Sequence, residues 1–87
     1  MITLNDDALN AAHERLAAHR LDLLEAAEDV RPEKLPALRE EHAATSRLMA
    51  ELERWYLVDE DDREVAFAVE QGLASQDLID FLEETIA

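Results

Sequence analysis

The 87-residue sequence predicts an all-α protein, with an antiparallel helical hairpin plus two short C-terminal helices. Large apolar residues recur at helical spacing through the first two thirds of the chain. One Gly and two Pro are present, too few for the tight turns of an all-β domain. We expect a single all-α domain over residues 1–87, with the hairpin in 1–56 and an acidic helical pair in 57–87.

The first helix is predicted over about residues 5–29. Apolar residues recur there at every seventh position, with a weaker row of smaller or polar residues between them: Ile2, Leu9, Leu16, Leu23 and Val30, then Ala12, His19 and Ala26. This spacing is typical of one face of an amphipathic helix. Thr3 or Asn5 can cap the first turn, where the carboxylates of Asp6 and Asp7 interact favourably with the helix dipole.

Two prolines divide the first helix from the second. Pro32 and Pro36 lie four apart, so they cannot both occupy the interior of one helix. A second helix is therefore predicted over about residues 35–57, with proline in its first turn. Its inward positions alternate in steps of three and four: Leu35, Leu38, His42, Thr45, Met49, Leu52 and Tyr56. A short connection between two such helices predicts an antiparallel hairpin.

The last thirty residues predict two shorter helices that pack across the open end of the hairpin. The first covers about residues 60–71, because carboxylates favour its N-terminal turn and Gly72 suits its C-terminus. The second covers about residues 76–85 and is capped by Ser75. Its apolar positions share one side: Leu78, Ile79, Leu82 and Ile86.

The formal net charge is −14, from 22 acidic and 8 basic residues, and it is unevenly distributed. Residues 57–87 contain ten acids and a single base, Arg63, for a net charge of −9. Such a segment repels DNA, RNA and anionic membranes and attracts basic proteins. We expect its acids to form a partner-binding surface: Asp59, Glu60, Asp61, Asp62, Glu64, Glu70, Asp77, Asp80, Glu83 and Glu84. The alternative is a solvated surface that serves solubility or adaptation to high salt.

The C-terminal pair has the residue spacing of a helix-turn-helix: Ala68, Gly72, Leu73, Leu78 and Phe81. A DNA-reading helix needs basic or amide side chains for base edges and phosphates. No Lys or Arg follows Arg63 in the sequence. The spacing therefore predicts a helical corner that closes a core, and direct nucleic-acid binding is not expected.

Trp55 and Tyr56 end the second predicted helix and are candidate anchors for a partner. Aromatic side chains bury much area at little entropic cost, so they are common at interfaces. The same properties suit a core position where the hairpin meets the C-terminal helices. Both interpretations stay open, and the core position is favoured.

Neither a metal site nor catalysis is predicted. His19 and His42 lie on the apolar stripes, but two histidines are fewer ligands than zinc needs, and no Glu-x-x-His pair suggests a di-iron bundle. We expect His19, His42 and Thr45 to be polar seam positions that set helix register or oligomeric state. The absence of Cys and of a glycine-rich phosphate loop favours a non-enzymatic protein without a cofactor.

No membrane association is expected. The longest apolar run, residues 65–69, is far shorter than the ~18 residues that a membrane span needs. The N-terminal residues are acidic, whereas a secretory signal begins with basic residues. The cytoplasm is the expected location.

Two functions are compatible with these features. The first is an inhibitor that occludes the basic nucleic-acid-binding site of a partner protein by acting as a nucleic-acid mimic. In physical character it resembles small phage-type inhibitors such as anti-CRISPR proteins, although no motif identifies that family. The second is a homo-oligomeric helical scaffold or adaptor that binds a partner through its apolar stripe and its Trp55/Tyr56 end. We expect a homodimer, because two helices with Ala-rich seams leave one stripe uncovered.

Overall fold

The structure is a computed structural model that describes residues 4–72 and 74–86, with the side chains of residues 66, 67 and 86 left out. Four residues used in the sequence predictions lie wholly or by their side chain outside the described part: Ile2, Thr3, Leu73 and Ile86.

Four α-helices form the described chain, and the all-α prediction is confirmed. Their bounds are α1, Asp6–Asp29; α2, Leu35–Trp55; α3, Val65–Glu70; and α4, Gln76–Ile86. Two short 3-10 turns, Pro32–Lys34 and Glu60–Asp62, precede α2 and α3. The long helices α1 and α2 pack closely against each other as a hairpin, and α4 contacts both of them and α3. None of the helices in the described part of the chain has the length and hydropathy needed to cross a bilayer.

The ends of the long helices follow the predicted capping and proline rules. The Asn5 side chain accepts a hydrogen bond from the Ala8 backbone N–H at 2.7 Å, which satisfies one of the free donors of the first turn. Pro32 begins the connecting 3-10 turn, and Pro36 lies in the first turn of α2. Both prolines thus occupy positions where their missing N–H removes no helical hydrogen bond.

The predicted third helix, residues 60–71, is divided in two in the structure, and α2 ends at Trp55 rather than at residue 57. Arg63 has φ −85° and ψ 65°, which is outside the helical region, so the 3-10 turn and α3 are separate elements. The break places the Arg63 side chain in the interior, where it is only 5% exposed. The contacts that the Arg63 side chain makes in the interior override the local preference of the acidic segment for a helix.

The core lies at the open end of the hairpin, where α3 and α4 cover it. Its buried members come from all four helices and the N-terminal segment: Leu4, Leu9, Ala12, Leu16, Met49, Leu52, Val65, Leu78, Ile79 and Leu82. Thr45 is buried as predicted, and its Oγ1 donates to the Glu41 carbonyl at 2.8 Å. The predictions that His19 and Tyr56 lie on the inward seam are wrong, because both side chains are exposed.

Gly72 and Ser75 form the corner between α3 and α4. Gly72 has φ +74°, the left-handed conformation that glycine adopts without strain at a helix C-terminus. The Ser75 Oγ accepts from the Leu78 N–H at 3.2 Å and donates to Glu51 at 2.7 Å. The Ser75 N–H also donates to Glu51, at 2.9 Å. One serine thus caps α4 and attaches its start to α2.

Candidate protein-binding surface

The ten carboxylates predicted to bind a partner lie on the outside of the C-terminal third, and we refer to them as the acidic surface. Nine of them are exposed and Glu64 is half-buried. They are contributed by the loop and 3-10 turn at residues 59–62, the start and end of α3, and α4. The prediction that these side chains face outward is therefore supported by their positions in the fold.

Helix α4 separates its carboxylates from its apolar residues. Leu78, Ile79 and Leu82 are buried against the hairpin. Asp77, Asp80 and Glu84 follow one another in steps of three and four, so they share the opposite side of the helix. Glu83, three residues after Asp80, lies at the edge of that side. This helix presents an acidic face to solvent over most of its length.

Arg63, the single base of this segment, does not neutralise the acidic surface. Its Nη1 donates to the Asp6 carboxylate at 2.6 Å and to the Leu4 carbonyl at 3.5 Å, and its Nε donates to the Val58 carbonyl at 2.9 Å. The other two contacts between basic and acidic side chains among the described residues join histidines to glutamates of the hairpin. No carboxylate of the acidic surface takes part in an ion pair within the described residues.

Two carboxylates of the acidic surface accept hydrogen bonds from uncharged groups. Glu60 accepts from the Asp6 backbone N–H at 3.0 Å, and Asp80 accepts from the Gln76 side chain at 3.1 Å. These bonds hold the side chains in place and leave their negative charge uncompensated. The Glu60 bond also attaches the acidic 3-10 turn to the start of α1.

The two aromatic candidates point in different directions. Trp55 is half-buried and packs against the core, as the favoured interpretation predicted. Tyr56 is 43% exposed, and its hydroxyl donates to Asn10 on α1 at 2.6 Å while its ring meets His13 edge to face. The structure therefore does not place these two rings together as one anchor.

Trp55 instead contributes to an apolar groove beside the acidic surface, which we call the Trp55 groove. It has a volume of about 390 Å³, and its apolar lining comes from Trp55, Val58, Ala68 and Ala74. Charged residues complete its walls: Glu51, Arg54, Asp62 and Glu64. Asp62 and Glu64 belong to the acidic surface, so the groove adjoins that surface directly.

The histidines form hydrogen bonds along the outside of the hairpin. His13 contacts Glu53 at 3.3 Å and His19 contacts Glu41 at 3.1 Å, and each pair joins α1 to α2. His42 is half-buried in the inward seam. Within the described residues, no three histidine or carboxylate side chains lie close enough together to hold a metal ion.

The sequence predictions missed two residues of this region. Leu57 is 90% exposed, the largest exposed fraction among the large apolar residues described. Arg63 was counted as a base without a structural role. Its position as the only base among ten acids, two residues before an apolar run, was the signal available in the sequence.

Comparison with models of known protein families, with curated proteins and with solved structures found no match for this chain. Its function is therefore argued from its own residues.

Proposed function

We propose that this protein is a non-enzymatic inhibitor that occludes the basic nucleic-acid-binding site of a partner protein. The observation that supports this function is the state of the acidic surface: ten carboxylates, nine of them exposed, without an ion pair among the described residues. Arg63, the single base of residues 57–87, is buried and pairs with Asp6. Arg54 of α2 lines the Trp55 groove beside Asp62 and Glu64 and forms no ion pair with them within the described residues. A cationic partner surface is the natural complement of such a field.

The mean axial spacing of the α4 carboxylates is close to that of the phosphates in one strand of duplex DNA. From Asp77 to Glu84 the helix rises about 10.5 Å, at ~1.5 Å per residue. Four carboxylates over this distance are separated by about 3.5 Å on average along the axis, compared with ~3.4 Å per phosphate in one strand of duplex DNA. The individual axial intervals are about 4.5, 4.5 and 1.5 Å, so α4 matches a phosphate row in its mean charge density and not in even spacing.

The proposal predicts strong dependence of binding on salt. Exposed charges are screened over about 8 Å at physiological ionic strength and over about 3 Å at 1 M salt. A complex held by carboxylates and basic side chains therefore forms fast at low salt and weakens steeply as salt rises. It also competes with nucleic acid, because both ligands use the same basic residues of the partner.

The test is affinity capture from cell extract, followed by mass spectrometry, at low and at high salt. One variant reverses four charges of the acidic surface to Lys: Asp61, Asp62, Asp80 and Glu84. A matched control reverses four exposed acids of the hairpin: Glu14, Asp22, Glu25 and Glu40. The two variants change the net charge equally, so they separate the location of the charge from its amount.

We expect the wild type and the hairpin control to capture the same nucleic-acid-binding protein at low salt and to release it at high salt. The variant reversed on the acidic surface should lose that protein. Equal capture by all three proteins would contradict the proposal, as would a partner retained at high salt. Circular dichroism of each variant verifies that its helices are intact.

The adaptor function remains the second candidate, and the Trp55 groove favours it. An amphipathic partner segment could place apolar side chains against Trp55 and Val58. Leu52→Ala is unsuitable as a probe because Leu52 is fully buried and its truncation costs about 2–5 kcal/mol of stability. Leu57→Ser is a better probe, because Leu57 is 90% exposed. If the partner binds independently of salt and Leu57→Ser abolishes that binding, the result supports the adaptor over the inhibitor.

A further inference from the structure

The Trp55 groove has room for the apolar side chains of a partner. Ala68 and Ala74 are small, and they leave space beside the larger side chains of Trp55 and Val58. Trp55 and Val58 are half-buried, so each presents part of its apolar surface to solvent. The volume of about 390 Å³ lies within the range of about 300–1,000 Å³ that is typical of ligand-binding clefts.

The charged residues of the groove come from two parts of the chain. Glu51 and Arg54 belong to α2 and have opposite charges, so the α2 side is neutral overall. Both carboxylate oxygens of Glu51 already accept hydrogen bonds from Ser75. The segment that leads into α3 contributes Asp62 and Glu64, and we refer to it as the acidic side of the groove. With three acids and one base, the charged lining has a net charge of −2.

The carboxylates of the acidic side remain available to a ligand. Neither Asp62 nor Glu64 forms an ion pair within the described residues, although Arg54 lines the same groove. Three more acids directly precede them in the sequence: Asp59, Glu60 and Asp61. Like charges repel one another here, and a cation bound against the acidic side relieves that repulsion. Charge complementarity therefore selects a basic ligand, and the apolar lining selects one that also carries apolar side chains.

We propose that the Trp55 groove binds a basic amphipathic helix of a partner protein. Apolar side chains of that helix pack against Trp55 and Val58, and its Lys or Arg side chains pair with Asp62 and Glu64. One helix supplies both kinds of contact, because residues three and four positions apart lie side by side on its surface. This inference rests on the proposed function and adds the chemistry of the partner: the basic site that the acidic surface covers includes an apolar helix face.

The fluorescence of Trp55 tests the proposal, since this is the only tryptophan in the sequence and it lines the groove. The probes are synthetic peptides of about 18 residues, which make about five helical turns. One peptide carries Leu on one helical face and Lys on the other. A second has Glu in place of every Lys, and a third has Ser in place of every Leu.

We expect the Leu/Lys peptide to bind and to shift the Trp55 emission to shorter wavelength, because the peptide removes water from the indole ring. The Leu/Glu peptide should not bind, and the Ser/Lys peptide should leave the emission unchanged. The absence of a shift with the Leu/Lys peptide would overturn the proposal, as would an equal shift with either of the other two. A shift that grows with protein concentration alone would mean that a second copy covers the groove, which also contradicts the proposal.

Neutralisation of the acidic side tests the choice of a basic ligand. The groove variant combines Asp62→Asn with Glu64→Gln, and its matched control combines Asp80→Asn with Glu84→Gln on α4, where neither residue lines the groove. Both variants lose two negative charges and keep the size of each side chain. At physiological ionic strength we expect the groove variant to bind the Leu/Lys peptide about fivefold to tenfold more weakly, because two ion pairs are lost. The control should change less than about twofold, since salt screens distant exposed charges. Equal losses in the two variants would overturn the proposal.

The peptide experiment and the affinity capture fail independently of each other. If the wild type captures no nucleic-acid-binding protein but binds the Leu/Lys peptide with the Trp55 shift, the inhibitor function is refuted and the groove keeps its ligand class. If the partner is captured through the acidic surface and its binding leaves the Trp55 emission unchanged, the groove assignment alone is refuted.

Discussion

Replacement of Arg63 by Met tests whether a buried guanidinium joins the N-terminal segment to the segment that precedes α3. The Arg63 side chain is almost fully buried and donates to the carbonyls of Leu4 and Val58 and to the carboxylate of Asp6. The Leu4 N–H in turn donates to the Arg63 carbonyl at 3.0 Å. Met preserves most of the apolar stem that packs in the interior, so Arg63→Met removes mainly the charged hydrogen bonds.

The expected loss follows from the individual contacts. A hydrogen bond from a charged donor to a buried carbonyl contributes about 1.5–3 kcal/mol, and the Val58 contact at 2.9 Å is of this kind. The Asp6 side chain is 67% exposed, so solvent screens its ion pair with Arg63. The pair therefore contributes only about 0.5 kcal/mol to stability. The Leu4 contact, at 3.5 Å, is too long to add much. Together these contacts give about 2–3.5 kcal/mol.

The assay is thermal unfolding followed by circular dichroism, at one fixed protein concentration because any dimer makes Tm depend on concentration. A loss of this size lowers the Tm of an 87-residue protein by about 10–25 °C. Arg47→Met is the matched control, since Arg47 is exposed on α2 and its loss should cost less than about 0.5 kcal/mol. The Tm of Asp6→Asn should lie close to the Tm of Arg47→Met. If Arg63→Met and Arg47→Met unfold at the same temperature, the buried guanidinium does not stabilise the fold and the reasoning is refuted.

Three further substitutions test the C-terminal corner in the same assay. Ser75→Ala removes the α4 cap and the hydroxyl's bond to Glu51, while the bond from the backbone N–H of residue 75 is kept. It should cost about 1–2 kcal/mol, and a loss under about 0.3 kcal/mol would contradict the capping role. Gly72→Ala should cost about 1 kcal/mol of stability, because alanine is strained at a positive φ. The added Cβ would meet nothing within 4 Å, so no steric clash adds to this cost. An unchanged Tm would show that the turn relaxes. Leu57→Ser should leave stability unchanged within about 0.5 kcal/mol, and a clear loss would mean that this leucine is covered.

The helix ends were predictable from the sequence because local rules determine them. Asn5, Pro36, Gly72 and Ser75 all occupy the terminal positions that their side chains or backbone preferences suggest. The division of the third predicted helix was not predictable in this way. It depends on Arg63 reaching the Val58 and Asp6 oxygens, and these contacts involve residues up to 57 positions apart.

The inward seam was predicted correctly except at His19 and Tyr56, which are exposed, and its residues nearer the turn are half-buried and not buried. A repeat of seven residues drifts by about 20° per repeat relative to a straight α-helix, so the predicted stripe turns away from the interface along α1. His19, nearly three turns after Leu9, is exposed and contacts Glu41. The sequence also gave no indication that α3 and α4 cover only half of the hairpin, which leaves Leu24 exposed.

For the candidate site, the sequence predicted that the acids are exposed, but it did not predict correctly which side chains lie together. Ten acids in thirty-one residues cannot be buried without partners, so an outward acidic surface followed from composition. Trp55 and Tyr56 were grouped as one anchor although consecutive residues of a helix point about 100° apart. That spacing was available in the sequence and already indicated that only one of the two rings could face the core.

Competition with nucleic acid tests the central claim most directly. With the captured partner in hand, fluorescence anisotropy of its labelled nucleic acid is measured during titration with this protein. We predict complete displacement by the wild type and by the variant with reversed hairpin charges, and none by the variant reversed at Asp61, Asp62, Asp80 and Glu84. A stable ternary complex with unchanged anisotropy, or equal displacement by both variants, would contradict binding through the acidic surface.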